Sequence, residues 1–190
     1  MDLIVSIIGL ILISPILLIT AILIKLDDNG RIFFLQERYT KDGKIFKVIK
    51  FRTMKENVEN YSATEDDDRI TKIGAFLRKT RIYELPQLIN VLMGDMSLVG
   101  PRPEMLENVH KYEDDLPEFR YRLKVKAGVT GIAQIEGRYN TSPMDKLLLD
   151  LVYIENYSLW NDMKLILRTL SVLFKKDSTD GFQEKEDIYE

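Results

Sequence analysis

The 190-residue sequence contains no cysteine, one histidine (His110) and one tryptophan (Trp160). Without cysteine there are no disulfides, thiolate metal sites or cysteine nucleophiles, and a lone histidine excludes a multi-histidine metal centre. Phosphate chemistry, if present, must rest on carboxylates, Arg, Lys and a hard cation such as Mg²⁺. The formal net charge is −3. Residues 175–190 hold three Lys and six acidic residues, which leaves the rest of the chain balanced. Within that neutral body, "KIFKVIKFR" (44–52) and "RITKIGAFLRKTR" (69–81) are strongly basic. Local basic stretches of this kind suit a specific anionic ligand, and no nucleic-acid-binding motif accompanies them.

Residues 3–24 carry no charge. As a straight helix they would extend about 33 Å, enough to cross a bilayer. No basic n-region or small-residue cleavage site marks a secretory signal. Ser14-Pro15 falls near the middle, where proline removes a helical N–H and serine can bond the carbonyl so freed. Two arrangements fit: a kinked spanning helix, or a re-entrant hairpin with both ends on one face. Basic residues follow the run at Lys25 and Arg31, which puts the remainder in the cytoplasm in either case.

"RIFFLQERYTKDGKIFKVIKFRTM" (31–54) reads as two strands joined through Asp42-Gly43. Residues 55–68 read as an exposed acidic loop. Apolar spacing predicts a helix over 69–79 and another over 82–93, the latter burying Leu85, Leu88, Ile89 and Leu92. "GDMSLVGPRPEM" (94–105) predicts a rigid loop, with Pro103 opening a short helix that contains His110, a surface or capping residue. Residues 126–140 are glycine-punctuated with short β-like runs. Ser142, Pro143 and Asp145 specify a helix start. A last amphipathic helix is predicted over 162–174, packed on the domain or lying at an interface, followed by a disordered acidic tail. The fold class is α+β and mostly helical: a small cytoplasmic domain with a β-hairpin, anchored by the N-terminal membrane helix. The expected division is 1–25 membrane helix, 26–176 catalytic or binding domain, and 177–190 tail.

Arg102, locked between Pro101 and Pro103, is preorganised for bidentate contact with phosphate or carboxylate, or ties the loop to a helix end. Lys50, Arg52 and Arg78, taken singly, suit a solvated face or anionic lipid. Gln134 and Arg138 lie in the glycine-framed "GVTGIAQIEGR" (128–138), which offers backbone N–H groups. Glu84, taken alone, reads as a first-turn glutamate complementing the helix dipole; beside a phosphate it could instead hold Mg²⁺.

Taken together, "KFRTM" (50–54), "DRITKIGAFLRKT" (68–80), "ELPQLINVLMGDMSLVGPRPE" (84–104), "KAGVTGIAQIEGR" (126–138) and "LDLVYIENYSL" (149–159) resemble the bacterial sugar transferases, the monotopic phosphoglycosyl transferases. The segment "RYNTSPMDKLLLDLVYIENYSL" is similar to the catalytic domains of the larger polyprenyl glycosylphosphotransferases. The resemblance implies transfer of a sugar 1-phosphate from a UDP-sugar to polyprenyl (undecaprenyl) phosphate, with release of UMP, to begin exopolysaccharide or O-antigen assembly. It further implies Mg²⁺, contact with membrane lipid and the cytoplasmic face of the bacterial inner membrane. It favours the re-entrant helix, broken at Ser14-Pro15, and is compatible with a homo-oligomer. The family usually carries a basic stretch before the position of Asp2, so an excised or naturally short form is expected.

The resemblance also implies an Asp-Glu pair at the start of "ELPQL". The aspartate attacks the β-phosphate to give a covalent phosphosugar-enzyme, and the glutamate holds Mg²⁺. Glu84 matches the glutamate. Lys50, Arg52, Arg78 and Arg102 match basic positions around the phosphates, and Arg69, Gln134 and Arg138 lie in matching motifs. The aspartate's place is taken by Tyr83. A phenol is longer than a carboxylate and, with an ordinary pKa near 10, is only about 0.1% ionised at pH 7. Impaired turnover is expected, the alternative being an inactive membrane-associated UDP-sugar-binding scaffold.

Overall fold

The computed structural model describes residues 1–56, 67–137 and 141–173. The exposed acidic loop lies largely outside them, and the acidic tail entirely so. Helix α1 (Asp2–Asp28) is followed by strands β1 (Phe33–Tyr39) and β2 (Ile45–Phe51) and helices α2 (Lys72–Lys79) and α3 (Gln87–Met93). Strand β3 (Ser97–Val99), helix α4 (Leu106–Asp115), a 3₁₀ segment (Pro117–Lys124) and β4 (Gly128–Thr130) come next. Helices α5 (Ile132–Glu136), α6 (Pro143–Glu155) and α7 (Leu159–Leu173) complete the order. This is the mixed, mostly helical architecture expected.

β1 and β2 pair antiparallel, with Phe34 opposite Lys50 and Arg38 opposite Phe46. Asp42 (φ 59°) and Gly43 (φ 74°) take successive left-handed conformations in the turn, which is why this dipeptide closes the hairpin. β3 and β4 form a separate parallel pair. Phe46 and Val48 from the hairpin meet Val91, Met96, Leu98, Val99, Ala127, Tyr153 and Leu165 in the main core. The predicted cap of α6 is present: Ser142 Oγ accepts from the Asp145 N–H at 3.1 Å.

The predicted 82–93 helix needs correction. Its opening is a 3₁₀ turn (Ile82–Glu84), Pro86 stands before the α-helix proper, and the buried face is Gln87, Asn90 and Val91. Leu92 is exposed. Asn90 is the reason. Fully buried, it accepts from the Ile49 N–H and donates to the Lys47 carbonyl, each at 2.9 Å. It thus satisfies a strand edge that would otherwise be orphaned and sets a polar residue of α3 against β2, while the predicted Leu88 packs partly buried against the main core.

The break expected at Ser14-Pro15 is absent: α1 runs through Pro15 as one helix, and Ser14 Oγ donates to the Ile11 carbonyl at 2.8 Å. That is the carbonyl left without its i+4 donor by proline. Among the described residues α1 alone is long and apolar enough to cross a membrane. A narrow stripe of it, including Ser6, Thr20 and Ile24, is buried, while Ile4, Ile8, Ile11 and Leu12 are exposed. Asp28, at its C-terminal end, pairs with Arg52. At its N-terminal end Asp2 Oδ1 accepts from the Leu98 N–H at 3.5 Å. Both ends of the helix therefore touch the same globular body.

Candidate active site

The chain leaves α2 through Arg81, whose φ of 57° is left-handed. This reversal, a strained conformation for a non-glycine residue, brings the following 3₁₀ turn back over β2. Ile82 and Tyr83 pack against the cluster of Ile24, Phe51 and Leu77. Glu84 then faces Lys50 Nζ at 3.4 Å and Arg102 Nη2 at 2.7 Å, both on carboxylate oxygen Oε1. Lys50 Nζ also lies 5.5 Å from the centre of the Tyr83 ring. All four residues around this point, Lys50, Tyr83, Glu84 and Arg102, were candidates from sequence.

The electrostatics follow from burial and pairing. Burial alone would push the Glu84 carboxyl up. The Arg102 guanidinium and Lys50 ammonium, with hydrogen bonds from Arg102 and Tyr83, outweigh it and hold Glu84 well below the usual carboxylate range. Glu84 in turn raises Arg102, against desolvation. Lys50 is brought down to about 8 by burial, with Arg102 and Arg38 adding to the drop and Glu84 opposing it.

Arg102 is fixed from behind. Its carbonyl accepts from Arg122 Nη2 at 2.9 Å, and Arg122 Nε donates to Asp150 at 2.9 Å. The Arg122 and Asp150 side chains are 4% and 2% exposed, whereas that of Arg102 is 43% exposed, so a rigid buried pair supports a reachable cation. Next to it, Glu104 pairs with Lys146 at 3.1 Å. Sequence reading missed Arg122, Asp150, Glu104 and Lys146. Asp150 left one trace, a single acid inside the apolar run "LLLDLV" (147–152).

The other predicted residues stand apart from Glu84 in their contacts. Arg52 binds Asp28 and the carbonyls of Arg31 and Met54, tying α1 to the hairpin. Arg69 pairs with Asp67, and Arg78 Nε donates to Thr53 Oγ1 at 2.9 Å; these form a second polar group. The Gln134 amide on α5 is buried, and neither its Oε1 nor its Nε2 finds a hydrogen-bond partner among the described residues. Arg138 lies outside the described residues. His110 Nε2 lies 3.3 Å from the Tyr39 hydroxyl, remote in its contacts from Glu84.

Among the described residues no three acidic or histidine side chains gather into a self-sufficient metal site. A single carboxylate, Glu84, with Lys50 and Arg102 on its Oε1, would hold Mg²⁺ only in company with phosphate oxygens, a common arrangement for this cation.

Comparison with known proteins identifies the scaffold. The profile of the bacterial sugar transferase family matches residues 1–176. The chain is 41% identical to the UDP-N-acetylgalactosamine-undecaprenyl-phosphate N-acetylgalactosaminephosphotransferase of Aeromonas hydrophila, covering 91% of this chain and 42% of that protein. It is 46% identical to the UDP-glucose:undecaprenyl-phosphate glucose-1-phosphate transferase of Klebsiella pneumoniae, over 89% of this chain and 38% of that one. The exopolysaccharide production protein PSS of Rhizobium leguminosarum bv. phaseoli is 40% identical, over 89% and 90% respectively. The chain thus spans about two fifths of the first two relatives and most of the third. On these matches, the protein belongs to the bacterial sugar transferase family.

Proposed function

We propose that the chain is a phosphoglycosyl transferase scaffold that binds a UDP-sugar and polyprenyl phosphate at the cytoplasmic face of the bacterial inner membrane. The reaction it is shaped for releases UMP and leaves the sugar on a polyprenyl diphosphate. The observation that carries this reading is the Glu84 carboxylate gripped by Lys50 and Arg102 beside Tyr83. Two cations on one acid leave a positive excess, and the relatives' names, which specify UDP-sugars and undecaprenyl phosphate, make a diphosphate the natural anion.

Within this reading Arg102 presents a forked donor to phosphate oxygens, and Lys50 supplies a second positive charge. Glu84 is the carboxylate that would hold Mg²⁺, which when bound neutralises charge building on the diphosphate. With aspartate at position 83, a carboxylate oxygen would bond to the β-phosphorus while the bond to the bridging oxygen breaks, UMP departing with the electron pair. An oxygen of polyprenyl phosphate then displaces the carboxylate. Tyr83 serves this step badly. Its hydroxyl helps hold the Glu84 carboxylate ionised, and its oxygen stands a few ångströms further from the backbone than a carboxylate's, where about 1 Å already matters. The chain as it stands binds the donor and turns over poorly.

The contact of both α1 ends with one globular body supports an arrangement with both ends on one face of the membrane, since a spanning helix of 27 residues, about 40 Å long, would carry Asp2 to the opposite face; the helix continues through Pro15, so re-entry would come from a bend within one helix and not from a break. The exposed Leu159, Trp160 and Leu167 of α7 support further contact with lipid. A cleft of about 340 Å³ lined by Met1, Asp2, Leu3, Tyr157 and Leu159 brings the start of α7 next to the start of α1.

Intact-mass measurement after incubation with UDP-sugars and Mg²⁺ tests the reading. Tyr83→Asp should gain the mass of one sugar phosphate, and the unaltered chain should not. A Tyr83→Asp protein that binds UDP-sugar yet never forms an adduct would remove the proposed covalent step.

A further inference from the structure

Four arginines are buried among the described residues: Arg38, Arg52, Arg69 and Arg122. Three of them meet an aspartate, at Asp28, Asp67 and Asp150. Arg38 does not. It is 7% exposed, its Nη1 donates to the Pro103 carbonyl at 3.1 Å and its Nη2 to Gln36 Oε1. Its Nε–H has no partner among the described residues. A buried guanidinium satisfied only by neutral oxygens bears a desolvation cost that its three counterparts offset with a carboxylate.

Position explains what could offset it. Arg38 lies on β1 and also bridges to Met105, so it sits against the loop that carries Arg102. Its electrostatic neighbours are Glu104, Arg102, Glu84 and Tyr83. Neither acid is free for it, since Glu104 is paired with Lys146 and Glu84 with Lys50 and Arg102. Burial already brings Arg38 down to about 10. Lys50 and Arg102 share the one carboxylate of Glu84, and Arg38 adds a third cation with no acid of its own, leaving two positive charges for an anion to neutralise. Gln36, two residues earlier on the same face of the strand, accepts from Nη2 and fixes the fork.

We propose that Arg38 is a third phosphate-binding cation of this site, its Nε–H and charge reserved for an oxygen of a phosphate or diphosphate group. The inference rests on the reading given under "Proposed function". The phosphate could come from the nucleotide diphosphate or from a lipid phosphate, and both present the same oxyanion to the same donor.

The test is isothermal titration of the full chain in detergent with UDP, UMP and farnesyl phosphate, on the unaltered protein, Arg38→Met and Arg38→Lys, together with the ligand-free Tm of each. Arg38→Met should weaken binding of at least one phosphate ligand tenfold or more, with a Tm equal to or above that of the unaltered chain, because an unpaired buried charge has gone. Arg38→Lys should keep the charge, lose the fork and fall between. Loss confined to UDP assigns Arg38 to the nucleotide diphosphate; loss confined to farnesyl phosphate assigns it to the acceptor. A lowered Tm with unchanged affinities would overturn the proposal and make Arg38 structural. Arg38-dependent farnesyl phosphate binding without any UDP affinity would uphold Arg38 and overturn the UDP-sugar reading. Absence of binding by the unaltered chain to all three ligands would overturn both.

Discussion

Arg122 and Asp150, joined at 2.9 Å and almost wholly buried, hold the backbone of the loop that carries Arg102. Burial pushes the Asp150 carboxyl up, opposed by Arg122, so neither residue tolerates the loss of the other. Asp150→Asn should cost about 3 kcal/mol of stability, the lower end for breaking a buried pair, and lower Tm by roughly 8 °C. UDP affinity of the folded fraction should fall as well, because Arg102 loses its support. Thermal denaturation with and without UDP measures both effects.

Lys50 makes the site sensitive to alkali. Its folded pKa of about 8 lies below the ordinary 10.5. Between these values the unfolded lysine keeps a proton that the folded one has shed, so this residue makes stability rise with pH across that window. Anion binding moves the other way. UDP affinity should drop roughly tenfold between pH 7 and 9 as the ammonium is lost, and Lys50→Arg should flatten the profile. Titration calorimetry across that range is the measurement, and a flat profile in the unaltered chain would contradict the assignment.

The absence of cysteine makes the membrane arrangement directly testable. Leu3→Cys and Leu26→Cys place single thiols at exposed positions near either end of α1. In sealed inverted membrane vesicles an impermeant maleimide should label both, as a re-entrant helix requires. Labelling of Leu26→Cys alone would mean that α1 spans.

Trp160 is the only tryptophan and is 71% exposed at the start of α7. In nanodiscs containing brominated acyl chains its fluorescence should be quenched by at least a third relative to unbrominated discs. Unchanged fluorescence would place this end of α7 in water.

Much of this was legible in local chemistry. Asp42-Gly43 announced the hairpin because few residue pairs accept two left-handed conformations in succession, and Ser142-Pro143 announced α6 because a capping oxygen and a missing N–H both suit a helix start. Pro101-Arg102-Pro103 marked an arginine either preorganised for an anion or tying its loop to a helix end, and its contact with Glu84 fits both. What failed to show was pairing across distance. Asn90 reads as one polar residue in an apolar helix until β2 supplies its partners, which is why the buried face of α3 was misjudged. Lys50 and Arg52 look equivalent by strand alternation, yet β2 ends at Phe51 and Arg52 turns to α1. Arg38, in "LQERY" (35–39), carries nothing in its neighbouring residues that marks its burial without a carboxylate.

On the proposed function, this scaffold is shaped for phosphosugar transfer and residue 83 limits it. The measurement is UMP release from a panel of UDP-sugars with Mg²⁺ and undecaprenyl phosphate, comparing the unaltered chain with Tyr83→Asp. Tyr83→Asp should be active with at least one donor, at least a hundredfold above the unaltered chain. Equal activity in the two would contradict it, because the chemistry would then be done by Tyr83 or by a group elsewhere in the site.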